Sequence, residues 1–124
     1  MKLHEQRSTQ NIVTGYGPGY IEINGERHRG NLILGPASVQ PWAVAGFQAL
    51  HPEDFDPVLG LKPEVVLLGT GRQHHLVDPR LTARLAAAGV ALESMDTKAA
   101  CRTYNILAGD GRRVAAAFLQ EDSE

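Results

Sequence analysis

The sequence predicts an α/β domain with a mixed sheet and helices packed on it. Three observations predict it. An Asn24-Gly25 pair sits between two strand-like runs. Val65-Val66-Leu67-Leu68 is a continuous apolar run that reads as a strand buried on both faces. After it, helical and strand patterns alternate to Leu119. A hairpin followed by β-α-β-α-β belongs to the α/β class.

The elements follow in order. Ile12–Tyr16 is a first short strand, and Gly17-Pro18-Gly19 is a turn signal. Tyr20-Ile21-Glu22-Ile23 alternates apolar and polar residues, as a half-buried strand does. Asn24-Gly25 suits a type I′ turn, whose two central residues need positive φ. Arg27–Leu34 reads as the returning strand, with Leu32-Ile33-Leu34 at its buried end and Gly35-Pro36 as its stop. Trp42–Phe47 reads as a further extended piece. Pro52 and the acidic Glu53-Asp54-Phe55-Asp56 suit a short helix through Leu59. Asp78-Pro79 predicts a helix start, with aspartate as N-cap and proline at the first helical position. Leu81, Leu85 and Ala88 would form its buried stripe, and Gly89 its end. Val90–Met95 reads as a strand. Asp96 or Thr97 caps the next helix, whose inner face carries Ala100, Tyr104 and Leu107. Arg112–Leu119 holds three consecutive alanines that favour helix. Its place after Gly109-Asp110-Gly111 and near the chain end favours a final strand.

Composition bounds the function. The chain has 124 residues, 43% hydrophobic, enough for one ordinary domain without a disulfide or metal staple. The single cysteine, Cys101, excludes an internal disulfide and fits a reducing compartment. Twelve basic and 14 acidic side chains give a net charge of −2, so no general electrostatic grip on nucleic acid is expected. No stretch approaches 18 apolar residues, and the first residues lack the apolar run of a signal peptide. The expectation is a cytoplasmic protein without membrane insertion, monomer or homodimer. Residues 1–10 and the acidic 120–124 are expected to be flexible, around a domain over 11–119.

The glycines and histidines after the buried strand suggest two chemistries, and both fit poorly. Gly69 and Gly71 have the first spacing of a dinucleotide fingerprint, but the third position is His74 and the predicted helix starts too late to hold a pyrophosphate. Asp96, at the end of the next strand, is the one feature that favours it. His74 and His75 are neighbours, so on a strand they face opposite ways and do not share an ion. No metal and no cofactor are expected. Cys101 lies inside a helix, where a lone cysteine is usually a packing residue. No catalytic constellation is recognisable.

The most distinctive stretches are Glu93-x-Met95-Asp96-Thr97, Ala100-x-Arg102-Thr103-Tyr104-Asn105 and the earlier Leu67-Leu68-Gly69-Thr70-Gly71, with Pro79-x-Leu81 and Pro41-Trp42. In this order they resemble the Mth-like domain family of unknown function, the family of mitochondrial complex I assembly factor 3 and the adipogenesis-associated Mth-like domain protein. The resemblance runs from the hairpin to Leu119. It implies a three-layer α/β domain with a mixed central sheet and a smaller β-hairpin layer. It implies no reaction; the mitochondrial member acts through protein contacts. Two readings follow. The first is a non-catalytic accessory or assembly protein, with an exposed apolar patch around Trp42 and Phe47 as its protein-contact surface. The alternative is a small-molecule or anion binder, or an enzyme. Its crevice would lie at the sheet edge, lined by Gly69, Thr70, Gly71, Arg72, Asp96, Thr97, Arg102 and Asn105, because open α/β sheets take ligands at strand C-termini.

Overall fold

The computed structural model describes residues 10–120. Most of the two ends expected to be flexible, residues 1–9 and 121–124, lies outside the described residues. Three strands, β1 (Val13–Gly17), β2 (Tyr20–Ile23) and β3 (Glu26–Arg29), form an antiparallel sheet in that order. The β2–β3 turn is as the sequence predicts: Asn24 has φ 53° and Gly25 φ 85°. The returning strand is not continuous to Leu34. Gly30, at φ 86°, breaks it, and β4 (Leu32–Gly35) starts in a different sheet. A backbone in the left-handed region cannot continue a ladder, so β3 and β4 separate there.

The second sheet has five strands, ordered β5-β4-β8-β6-β7. Its other members are β5 (Ser38–Pro41), β6 (Val65–Thr70), β7 (Ala91–Met95) and β8 (Val114–Leu119). β6 runs parallel to β7 and β8, while β4 is antiparallel to β5 and β8. The sheet is therefore mixed, and the final strand lies at its centre. Trp42–Phe47 is not a strand; the extended piece is β5, before it, and Phe47–Ala49 is a single 3-10 turn.

Period-2 alternation divides the central sheet into two cores. On one face, Leu32, Leu34, Val65, Leu67, Ala116 and Phe118 pack against the long helix α3 (Thr97–Gly109) and the small sheet. On the other, Ile33, Val66, Leu68, Ala115, Ala117 and Leu119 pack against Trp42, Phe55, Val58 and Leu85. Phe55 closes a 3-10 turn, Pro52–Phe55, that runs into α1 (Asp56–Leu59); Leu85 lies on α2 (Ala83–Ala87). These are three layers, in a mixed α/β fold.

The helix predicted to follow an Asp78 cap starts four residues late. Asp78 Oδ1 instead accepts the Arg80 backbone N–H at 2.9 Å, holding a turn, and helix begins only at Ala83. The guanidinium of Arg80, 2.7 Å away, competes for the same carboxylate and holds its pKa down to about 2. Leu85 is buried as predicted, but Ala88 is exposed.

Candidate functional site

The path of the chain reverses at the end of β7. From β6 the chain steps outward to β7 over α2; from β7 it crosses back past β6 to β8 over α3. Right-handed crossovers in opposite directions must lie on opposite faces of the sheet. The cores agree, with Leu85 on one face and Ala100, Cys101 and Tyr104 on the other. The ends of β6 and β7 therefore form the switch point of this sheet, where open α/β sheets bind ligands.

Gly69, Thr70, Gly71, Asp96 and Thr97 meet there. Gly69 is not in the turn but inside β6. A Cβ at this position would lie 2.9 Å from Thr97 Oγ1, 3.1 Å from Thr97 Cα and 3.3 Å from the Ala100 methyl. The glycine lets α3 approach the sheet. Gly69→Ala should therefore cost roughly 1–3 kcal/mol of stability through overpacking, read as a lower denaturant midpoint. A midpoint unchanged from wild type would refute the close approach.

Gly71 makes the turn, at φ 100°. Its N–H donates to Thr97 Oγ1 at 2.9 Å, and its carbonyl accepts the Thr97 N–H at 2.9 Å. The Thr97 hydroxyl donates in turn to the Leu119 carbonyl at 2.5 Å. One buried threonine thus ties the ends of β6 and β8 to the start of α3. Thr70 does the same for the end of β7 and the loop that follows β6. Its hydroxyl reaches the carbonyls of Gln73 (2.6 Å) and Met95 (3.2 Å) and accepts the His75 N–H at 3.2 Å. Asp96 is the N-cap of α3, its Oδ1 accepting the Ala99 N–H at 2.9 Å. The helix N-terminus already carries a carboxylate.

The remaining candidates lie apart. Arg72 follows the turn and is exposed. Asn105 stands eight residues beyond Thr97, about 12 Å along the helix axis. Its Oδ1 accepts the Val13 N–H at 2.9 Å, and its Nδ2 donates to the Val13 carbonyl at 2.8 Å. This amide replaces a missing strand partner and docks β1 on α3. Arg102 is exposed, its Nη1 donating to the Tyr16 hydroxyl at 3.4 Å. Arg102 and Asn105 therefore face the small sheet, not the ends of β6 and β7.

Trp42 is buried, its indole N–H donating to the Asp54 carbonyl at 2.8 Å. It is a core residue and presents no surface patch. Phe47 is half-buried and stacks on His75 at 4.8 Å. Among the described residues no group of three or more His, Cys, Asp or Glu is placed to hold a metal, and no helix is long and apolar enough to cross a membrane.

Tyr104, in the core, has its phenol pushed up to about 12 by burial. The unfolded chain ionises a tyrosine near pH 10. Between those values the unfolded state has lost the proton and the folded state has kept it, so stability falls as pH rises from about 10 to 12. Tyr104→Phe should flatten this region of the denaturant-midpoint profile. An identical slope in both proteins would refute the assignment.

Sequence reasoning missed Asn31 and Gln120. Asn31 donates from Nδ2 to the Val44 carbonyl (2.9 Å) and accepts the Gln120 N–H at Oδ1 (2.7 Å). Gln120 is buried, not in a flexible tail, and its amide donates to the Gly30 carbonyl at 2.6 Å. The only trace of Asn31 in the sequence is a polar residue directly before an apolar run. Two concavities also lie away from the switch point. One, of about 80 Å³, sits between β3 and β5; a wider one, of about 260 Å³, lies between Leu50, Pro52 and the Asp78–Leu81 turn.

Comparison with known proteins places these features in a wider group. Residues 13–119 match the family described as protein of unknown function (DUF498/DUF598). A crystal structure of a Bordetella parapertussis protein superposes with a TM-score of 0.85 at 44% identity, covering 90% of this chain and 96% of that one. A solution structure of a Bordetella pertussis Mth-like domain gives a TM-score of 0.81 at 37% identity, over 90% of this chain and 86% of that one. Bovine NADH dehydrogenase (ubiquinone) 1 alpha subcomplex assembly factor 3 is 33% identical over 109 residues, which is 86% of this chain but 59% of the bovine protein.

Proposed function

Since the chain belongs to the DUF498/DUF598 family of proteins of unknown function, we propose that it is a non-catalytic binding protein, an accessory or assembly factor that works through protein contacts. One observation carries this reading. At the switch point the hydroxyls of Thr70 and Thr97, the carboxylate of Asp96 and the backbone of Gly71 are all engaged with one another, with strand ends, with the loop after β6 or with the first turn of α3. A site that does chemistry keeps such groups directed at a substrate. Similarity to the bovine assembly factor supports the assembly branch, and a cytoplasmic, bacterial setting goes with it.

The test is deletion of the gene in an organism that carries both it and a multisubunit NADH dehydrogenase. The assembled enzyme should fall several-fold on native gels, with other respiratory complexes unchanged, and return with the wild-type gene. Unchanged assembly would overturn the assembly role.

A second reading has one observation in its favour: the switch point is where the fold class binds ligands. It assigns a small anion or metabolite to Gly69–Arg72, Asp96 and Thr97, with Arg102 and Asn105 on the same helix. A thermal-shift screen against metabolites, nucleotides and anions decides it. A ligand at 100 times its Kd stabilises by about 2.7 kcal/mol. A shift lost in Arg72→Ala, in the loop after β6, would move the assignment to this reading.

A further inference from the structure

We infer that the crevice between β3 and β5 is the docking site for an extended, acidic segment of a protein partner, which adds as a strand to β3 and seats one aliphatic side chain in the crevice. This rests on the binding-protein reading and gives it a surface.

Strand β3 ends the small sheet and, among the described residues, pairs with β2 alone. The hairpin closes on the pair Ile23–Glu26. Alternation along an antiparallel ladder then directs the N–H and C=O of Arg27 and Arg29 away from β2, toward the free edge. The neighbouring edge, β5, ends in Pro41, which has no N–H to offer. An added strand therefore pairs with β3.

The crevice beside this edge is about 80 Å³. Leu32, Val39 and Pro41 give it apolar walls, and His28, Arg29 and Gln40 line its polar side. That volume is well below the roughly 300–1,000 Å³ of small-molecule sites. It suits one aliphatic side chain. Among the described residues, the side chains of His28, Arg29 and Gln40 have no hydrogen-bond or ion-pair partner. Asn31, by contrast, is held by Val44 and Gln120.

Charge selects the occupant. β3 reads Glu26-Arg27-His28-Arg29, with two guanidinium groups in four residues of a chain whose net charge is −2. Arg27 lies over the Tyr20 ring at 4.2 Å, opposite Glu22, so Arg29 is the charge that remains for a partner. A second copy of this strand would set guanidinium against guanidinium, which excludes self-pairing and admits a carboxylate-bearing strand.

The test is an amide-detected NMR titration of the full chain with the peptide acetyl-Asp-Glu-Val-Glu-Asp-amide. Its neutral counterpart, acetyl-Asn-Gln-Val-Gln-Asn-amide, and isovalerate alone are the comparisons. The acidic peptide should shift amides across 27–32 and 39–40. Binding should weaken about tenfold or more with the neutral peptide, with added salt and in Arg29→Glu. Arg29 is exposed, so the variant should keep the wild-type spectrum elsewhere. No shift at millimolar peptide, shifts elsewhere, or equal binding of the neutral peptide overturns the proposal. Isovalerate binding as tightly as the peptide also overturns it and reassigns the crevice to small carboxylates. The deletion strain separates the two readings. If the wild-type gene restores assembly but the peptide does not bind, the docking site falls and the assembly role stands. If deletion has no effect on assembly, the assembly role falls whatever the peptide does.

Discussion

Thr97→Val should cost about 2–6 kcal/mol, since two buried backbone groups lose their partner at roughly 1–3 kcal/mol each. The side chain keeps its volume, so packing is little changed. What goes is the hydroxyl that accepts from Gly71 N–H at 2.9 Å and donates to the Leu119 carbonyl at 2.5 Å. Both lie in the interior, where water does not replace the loss. Thr97→Ser keeps the oxygen and removes only a methyl group, so it should lose about 1 kcal/mol. Urea unfolding of the three proteins checks the pair of values. Equal losses for valine and serine would mean that the methyl, not the hydroxyl, matters. For a domain whose whole stability is roughly 5–15 kcal/mol, the valine variant should also accumulate poorly in cells. A binding or assembly assay on it is informative only after its folded fraction is measured.

Phe55→Ala should cost about 3–5 kcal/mol, the range for deleting a buried aromatic ring. Phe55 is fully buried beneath the second face of the central sheet. Its ring meets Trp42 edge-on, with centroids 5.7 Å apart and planes at 62°. Trp42 is itself tied to the Asp54 carbonyl, next to Phe55 in the chain. Removal of one ring therefore loosens the other. Amide exchange should quicken across 42–59 more than in α3, which packs on the opposite face. Loss of protection confined to α3 would contradict this layer assignment.

The elements legible in the sequence are those with a local cause. Asn24-Gly25 imposes its turn through positive φ whatever surrounds it. Asp96 caps α3 because its carboxylate reaches an N–H three residues on. Val65–Leu68, a short apolar run with β-branched residues, reads as a strand with both faces covered. The elements that differ from expectation have a non-local or competing cause. The start of α2 is late because Arg80 competes for Asp78. Trp42 reads as a contact residue in the sequence because its partners, Phe55 and the Asp54 carbonyl, are more than ten positions away. The candidate site divides in the same way. Thr70, Gly71, Asp96 and Thr97 belong to two strand ends that a parallel β-α-β unit must bring to one edge. Arg102 and Asn105 join that edge in the sequence reading only through nearness along the helix, and in the structure they face the small sheet. The hydrogen bonds that turn Asn105 toward Val13 span 92 positions.

By itself the sequence determined the α/β class, the type I′ hairpin, the buried strand and the capped helix. Each follows from turn stereochemistry, capping or side-chain period within a few residues. The tertiary structure decided that Val114–Leu119, three alanines included, is the central strand. Small side chains there let a layer pack closely on each face. It also decided that Gly69 serves close helix packing and that Thr97 joins three elements. The crevice beside Arg29 exists only because Gly30 sends β3 and β4 into different sheets. Distance in space, not along the chain, sets all of these, and a sequence records only the second.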